Sequence, residues 1–181
     1  MRINHNNKFL RLSAALVLSV FLPGMAHAQD VHSVPQVEIK RYLGKWYEIA
    51  HYPMYWQRKC VADTTATYAV AEDGKITVDN KCRKEDGNFD ESKGTAVAVP
   101  NSGNAQLKVT FFWPFSGDYW VIGLEPEYRW AVVGTPNQEY LWILSRTPKL
   151  DAADLKAAQE AATSQGFSLE KLMYTPQSSP Q

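Results

Sequence analysis

The sequence has few of the residues from which catalytic and nucleic-acid-binding sites are built. Its 181 residues include four histidines and two cysteines, and 19 basic residues balance 19 acidic ones. A net charge of zero argues against a nucleic-acid partner, because phosphate binding needs a basic surface. No metalloprotease, nucleophile-elbow or phosphate-loop motif occurs, and no carboxylate pair stands out. We therefore expect no enzyme activity, no metal site and no cofactor.

Long apolar runs are also scarce, and the longest lies near the N-terminus. Three basic residues precede the largely apolar residues 12–22, and Ala26 and Ala28 supply the small side chains of a cleavage site. This pattern predicts a secretory signal peptide over residues 1–28, since a membrane span needs about 20 apolar residues. No cysteine lies near the cleavage point to carry a lipid. We expect an exported, soluble protein.

The 153 residues that remain are enough for one domain with a hydrophobic core. A polar leader is expected at residues 29–36, the domain at 37–174 and a disordered tail at 175–181. Within the domain, short alternating or apolar segments separated by turn signals predict strands. These strands are expected at residues 44–51, 63–71, 75–82, 94–99, 105–112, 118–124, 129–134 and 140–145.

A single helix is expected after the strands. Asp151 can cap its first turn, residues 152–165 are strong helix formers, and Gly166 can end it. The predicted fold class is therefore all-β, with eight antiparallel strands joined by hairpins and one C-terminal helix packed outside. The pattern leaves a closed barrel and a sandwich as alternatives. An eight-stranded barrel has room for one small ligand.

Three motifs in order resemble those of the lipocalin family. Residues 44–46 (GKW) resemble the G-x-W motif that opens the first lipocalin strand, and residues 128–129 (YR) resemble the second motif, although 126–127 are Pro-Glu where Thr-Asp is usual. Residues 141–146 (LWILSR) resemble the third motif, which ends in an arginine, and residues 111–115 (FFWPF) add to the match. The resemblance is greatest to bacterial outer-membrane lipocalins, with apolipoprotein D and plant temperature-induced lipocalins as relatives. It implies that the exported protein is periplasmic or associated with the outer membrane.

The resemblance implies an eight-stranded up-and-down barrel, the lipocalin calyx, with a closed floor. In the family the arginine of the third motif lies across the tryptophan of the first. The residues that match this floor are Gly44, Trp46 and Arg146, and Tyr128 is the structural residue of the second motif.

Alternation along the strands, combined with the resemblance, gives the residues that should face the interior. If Trp46 points inward, a period of two also places Glu48 and Ala50 inside. Such a lining is mostly apolar with a few polar groups, as in sites for small hydrophobic ligands. The candidate ligand-binding residues are Glu48, Tyr68, Asn80, Leu107, Val109, Phe111, Tyr119 and Trp142.

The resemblance and this lining predict binding or transport of a fatty acid or lysophospholipid that helps to maintain the cell envelope. A haem, bilin or other ring ligand is one alternative, which the scarcity of histidine disfavours. An interaction module is another, in which exposed aromatic residues such as Tyr52, Tyr55 and Trp56 contact the outer membrane or form a homodimer.

Two cysteines in an exported chain favour a disulfide between Cys60 and Cys82, with two buried thiols as the alternative. Both should lie near the open end of the barrel. If the second and third strands pair symmetrically about the turn at residues 73–74, Cys82 lies opposite a residue near 64 and not opposite Cys60. The disulfide therefore needs a β-bulge that brings the two cysteines together.

Overall fold

The computed structural model describes residue 1 and residues 30–178; residues 2–29, which include the rest of the predicted signal peptide, and residues 179–181 lie outside the described residues. A four-residue helix, α1 (Ile39–Tyr42), precedes the sheet. The strands are β1 (Gly44–His51), β2 (Cys60–Val70), β3 (Ile76–Lys84), β4 (Phe89–Ala98), β5 (Gln106–Phe112), β6 (Phe115–Leu124), β7 (Trp130–Gly134), β8 (Leu141–Ser145) and β9 (Met173–Tyr174). Helix α2 (Ala152–Thr163) lies between β8 and β9, and short 3₁₀ helices occur at Tyr55–Gln57 and Leu169–Lys171.

Strands β1 to β8 form one closed antiparallel barrel. Each strand pairs with the next along the chain, and β1 pairs with both β2 and β8. The prediction of eight antiparallel strands is confirmed, and the sandwich is excluded. Closure removes the exposed edges that an open sheet of this size would leave.

One end of the barrel is covered by the chain that precedes β1. Val37 and Tyr42 are buried against the interior, and the backbone N–H of Val34 donates to the Val121 carbonyl at 2.8 Å. The leader therefore packs on the barrel although most of its residues are polar. We call this the closed end. The loops after β1, β3, β5 and β7 lie at the opposite, open end.

Two hydrophobic clusters stabilise the fold, one inside the barrel and one between the barrel and α2. Leu141 and Ile143 of β8 belong to the second cluster with Ala158 and Ala162 of the helix, whereas Leu144 faces the interior. The side chains of β8 therefore alternate between the outer and the inner face of the barrel. The helix thus covers an apolar outer face of the barrel.

Helix α2 begins as predicted and ends two residues before the predicted end. The Asp151 carboxylate accepts a hydrogen bond from the backbone N–H of Asp154 at 2.8 Å, which caps the first turn. A Cβ atom at Gly123 would lie 2.8 Å from the Ala161 Cβ, so glycine on β6 allows the helix to approach closely. Neither α1 nor α2 is long and apolar enough to cross a membrane, within the described ranges.

The C-terminal residues differ from the prediction. Residues 173–178, which we call the C-terminal strap, lie against the barrel where β1 and β2 diverge. β9 pairs with the last two residues of β1, and the Pro176 carbonyl accepts a hydrogen bond from the backbone N–H of Asp63 on β2 at 2.8 Å. The expectation of a disordered tail is therefore wrong for residues 175–178.

Candidate ligand-binding site

Trp46 forms the floor of the barrel interior. Its side chain is fully buried, and its indole N–H donates to the Tyr42 carbonyl at 2.8 Å. The guanidinium carbon of Arg146 lies 3.8 Å from the centre of the indole ring, and its two nitrogens donate to the carbonyls of Lys45 and Arg41. A guanidinium stacked on a desolvated indole contributes a cation–π attraction in addition to these hydrogen bonds.

Gly44 and Tyr128 complete the floor. Gly44 has φ +90, a left-handed conformation that glycine adopts at little cost. Tyr128 is buried, its hydroxyl accepts a hydrogen bond from the backbone N–H of Glu38 at 2.9 Å, and the guanidinium of Arg41 lies over its ring. Together with Trp46 and Arg146, these residues hold the segment that precedes β1 against the closed end of the barrel.

Three tyrosines form a cluster on the interior face near the floor. The Tyr119 hydroxyl lies 2.8 Å from the Tyr42 hydroxyl and 2.9 Å from the Tyr68 hydroxyl. Burial raises the pKa of Tyr68 to about 12 and the pKa values of the other two well above the ordinary value. All three are therefore neutral hydrogen-bonding groups at physiological pH.

The wall above the tyrosines is apolar and remains partly accessible. Leu107 is buried in the interior cluster, whereas Val109, Phe111 and Trp142 pack against the cluster with part of their surfaces exposed. These side chains point into a closed barrel, so their exposed parts face its interior or its open end. We call this accessible interior the calyx.

Two glycines show how the calyx wall is shaped. A Cβ at Gly94 would lie 2.8 Å from the Phe111 ring, so the phenyl group lies directly over the β4 backbone. Gly117 pairs with Val109 and is an inward position, and a Cβ there would meet no atom within 4 Å. The inner face of β6 near the open end is therefore unfilled.

Asn80 also faces the interior, but its polar group is unpaired. It pairs with Ala66 of β2, which packs against the interior cluster. The Asn80 Oδ1 atom is buried and has no hydrogen-bond partner among the residues that the structure describes. A buried amide oxygen without a partner loses free energy relative to its hydrated state.

Glu48 is more enclosed than the sequence suggests. Its side chain faces inward opposite Leu144 and is only 3% exposed. The carboxylate accepts hydrogen bonds from the Gln57 amide at 2.7 and 2.8 Å and from the Thr175 hydroxyl at 2.6 Å, and the imidazole of His51 lies 3.8 Å away. Glu48 thus ties the loop after β1 and the C-terminal strap to the barrel.

Ala50 does not face the interior as alternation predicts. A β-bulge between Glu48 and Ala50 shifts the register against β8, so that Ala50 pairs with the outward-facing Ile143. His51 then pairs with Trp142 on the interior side. A single extra residue reverses the faces beyond it, since side chains alternate with a period of two.

The C-terminal strap is anchored at Asp63. The Asp63 carboxylate accepts hydrogen bonds from the backbone N–H and hydroxyl of Ser178 and from the Arg83 guanidinium at 2.7 Å. Burial alone would raise the pKa of Asp63, but these hydrogen bonds outweigh it and hold the pKa below the usual value. The ionised form therefore stabilises the attached strap.

We expect acid to loosen this attachment. A carboxyl group with a lowered pKa in the folded state stabilises that state fully above its unfolded pKa of about 3.9, and the contribution is lost as pH falls through the folded pKa. The protection factor of the Ser178 amide, which is its exchange rate compared with that of an unstructured amide at the same pH, should fall below pH 4 in the wild type. In Asp63→Asn the protection should be low at every pH, because asparagine accepts the left-handed backbone at this position (φ +56) but lacks the charge. An unchanged Ser178 exchange rate in the variant would contradict this assignment.

The disulfide between Cys60 and Cys82 is present. Register shifts between Cys60 and Ala62 and between Ala62 and Thr65 bring the two cysteines together, with Cα atoms 5.5 Å apart. The bulge required by the sequence spacing is therefore found on β2. The bond links β2 and β3 at the open end.

Sequence reasoning missed three residues of this region. Tyr42 precedes the first strand, Gln57 lies in an irregular loop, and Thr175 falls in a segment rich in proline, serine and glutamine. Each reaches the interior through tertiary contacts, which a periodic sequence pattern does not predict. For Tyr42 the signal was its position two residues before the G-x-W motif.

The chain is similar to proteins of one family over most of its length. Residues 37–177 match a family model described as a lipocalin-like domain. Temperature-induced lipocalin-1 of Arabidopsis thaliana is 39% identical over 162 residues, with 85% of this chain and 87% of that protein covered. The outer membrane lipoprotein Blc of Escherichia coli K12 is 41% identical over 150 residues, covering 82% and 84%.

Solved structures agree on the fold. Insecticyanin from the tobacco hornworm Manduca sexta superposes with a TM-score of 0.69 at 18% identity, covering 84% of this chain and 87% of that one. The motifs, the closed barrel with its outer helix and these similarities lead to one conclusion: the chain belongs to the lipocalin family.

Proposed function

We propose that this lipocalin binds and carries a fatty acid or lysophospholipid in the cell envelope, where it contributes to membrane maintenance. The observation that supports this most is the unfilled inner face at Gly117, opposite the partly exposed Val109. An acyl chain there would cover apolar surface of Val109, Phe111 and Trp142. Each buried methylene would contribute about 0.8 kcal/mol. A site of this kind binds and releases its ligand without chemical change.

Similarity to the outer membrane lipoprotein Blc supports a place in the cell envelope. Both cysteines of the sequence, Cys60 and Cys82, are bonded to each other, which is consistent with a protein that functions without a lipid attached through cysteine. In this proposal the signal peptide directs export, and the mature protein is released as a soluble carrier.

The open end also has the composition of a surface that contacts membranes. The hairpin between β5 and β6 exposes Phe112, Trp113 and Phe115 by 79, 89 and 77%, and Tyr55 and Trp56 are exposed in the loop after β1. Aromatic side chains of this type favour the interface between lipid and water. We include a peripheral membrane contact through this hairpin in the proposal. Wild-type protein should float with outer-membrane lipid vesicles, and Trp113→Ser combined with Phe115→Ser should reduce the floated fraction severalfold.

Contact quenching of tryptophan tests ligand binding directly. Trp142 lines the calyx, so titration with 9,10-dibromostearic acid should quench part of the fluorescence to saturation, with micromolar affinity. In Trp142→Phe the quenching should fall sharply, while binding of unbrominated stearic acid, measured by calorimetry, should stay within about threefold. Absence of saturable binding by stearic acid and by lysophospholipid would overturn the proposal.

A further inference from the structure

A band of polar groups with incomplete hydrogen bonding crosses the apolar calyx just above its floor. It consists of the tyrosine cluster (Tyr42, Tyr68 and Tyr119) and Asn80. Asn80 pairs with Ala66, and Tyr68 lies two residues farther along the same face of β2. Asn80 and Tyr68 are therefore diagonal neighbours on adjacent strands.

The tyrosine cluster has one hydroxyl hydrogen more than it can use. Three hydroxyls carry three donor hydrogens, whereas the cluster contains two oxygen–oxygen contacts, of 2.8 and 2.9 Å. Each contact uses one hydrogen. One tyrosyl hydrogen therefore has no acceptor among the residues of the described range.

Asn80 has the opposite imbalance, an acceptor that lacks a donor. Its Oδ1 atom is a buried acceptor without a donor, so the band holds an unused donor and an unused acceptor on the same interior surface. A methylene group of a saturated chain satisfies neither. A hydroxyl group can donate to one and accept from the other.

We propose that the calyx is selective for an oxygenated lipid, a long-chain amphiphile that carries a hydroxyl group on the part of the chain buried in the barrel. This inference rests on the proposed lipid-binding function and names its ligand class. A site with hydrogen-bonding groups for a ligand hydroxyl discriminates strongly against the analogue that lacks it, because the buried protein groups then stay unpaired.

The depth of the band indicates where the hydroxyl must lie. Asn80 is four residues below Lys84, the last residue of β3 at the open end, which is roughly 13 Å along the strand at about 3.3 Å per residue. An 18-carbon acid whose carboxylate stays at the open end places the middle of its chain at this depth, and the carbons beyond it turn back along the apolar wall because the floor lies just below the band. A hydroxyl near carbon 12 fits, whereas one at carbon 2 would remain at the mouth.

Calorimetric titration with stearic acid, 12-hydroxystearic acid and 2-hydroxystearic acid tests the proposal. Wild-type protein should bind the 12-hydroxy acid at least about tenfold more tightly than stearic acid, and the 2-hydroxy acid no more than about threefold more tightly. Equal affinities for stearic and 12-hydroxystearic acid would overturn this inference and leave the lipid-binding function standing. If none of the acids binds, both proposals fail.

Variants assign the preference to the polar band. Tyr119→Phe removes the bridging hydroxyl, and Asn80→Leu removes the acceptor while keeping the same branching at Cγ. Each should reduce the ratio of the dissociation constants for stearic acid and the 12-hydroxy acid below about threefold, whatever the change in the affinity for stearic acid itself. Thr67→Val, a matched loss of polarity on the exposed outer face of β2, should keep the full preference.

Thermal melting establishes that each variant is folded. If Tyr119→Phe does not fold, Tyr68→Phe removes a single contact of the cluster and replaces it in the test. A preference that survives in the folded variants would contradict the role of the band.

Discussion

Replacement of Trp46 by alanine is expected to lower the free energy of unfolding by about 3–5 kcal/mol, the range for large-to-small changes of buried aromatic residues. Trp46 is fully buried, donates to the Tyr42 carbonyl and lies under the Arg146 guanidinium. The variant loses this packing, leaves a cavity at the floor and deprives the guanidinium of its aromatic partner. Chemical denaturation followed by circular dichroism measures the change.

Trp113→Ala is the matched control for this prediction. Trp113 is 89% exposed at the tip of the hairpin between β5 and β6, so the same substitution should change the free energy of unfolding by no more than about 0.5 kcal/mol. A cost below 1 kcal/mol for Trp46→Ala would mean that the floor does not stabilise the barrel.

Introduction of tryptophan at Gly117 should reduce the affinity for acyl ligands at least about a hundredfold. Gly117 faces inward opposite Val109, and a Cβ there meets no atom within 4 Å. The Cβ of a substituted residue fits without displacing other atoms, and an indole attached to it would occupy space near the open end. It would compete directly with the ligand, since about 3 kcal/mol of lost apolar contact corresponds to a hundredfold in affinity.

Ser116→Trp provides the control for the blocked calyx. Ser116 is the neighbouring residue of β6 and is exposed on the opposite face. The control should bind stearic acid within about threefold of wild type, with an unchanged melting temperature. Equal binding by Gly117→Trp and Ser116→Trp would show that the ligand does not enter past Gly117.

The sequence was sufficient to predict the strands because its strongest signals are local, whereas the choice of a closed barrel over a sandwich came from the resemblance to lipocalins. The alternation of polar and apolar residues in β5, the apolar run in β8 and the turn residues are properties of short segments. They therefore identify strands without knowledge of the partner strands. The start of β4 could not be identified in this way. Residues 89–93 are mostly polar, and they are strand because they pair with residues 79–83 of β3.

The features of the candidate site that the sequence did not predict also depend on contacts between segments far apart in the chain. The bulge after Glu48 depends on how β1 meets β8, and it exchanges Ala50 for His51 on the interior side. The strap is held by its contacts with Glu48 and Asp63 and not by any helical or strand pattern of its own. Alternation could place Asn80 inside but could not reveal that its oxygen has no partner.

Native mass spectrometry of the protein purified without detergent from the envelope of an exporting host tests the central claim most directly. The wild type should carry one single-chain lipid per barrel, which organic solvent removes and added lysophospholipid or fatty acid restores. Gly117→Trp should be recovered without lipid. A wild-type protein that is empty on purification and remains empty after addition of these lipids would contradict the assignment of the calyx as a lipid-binding site.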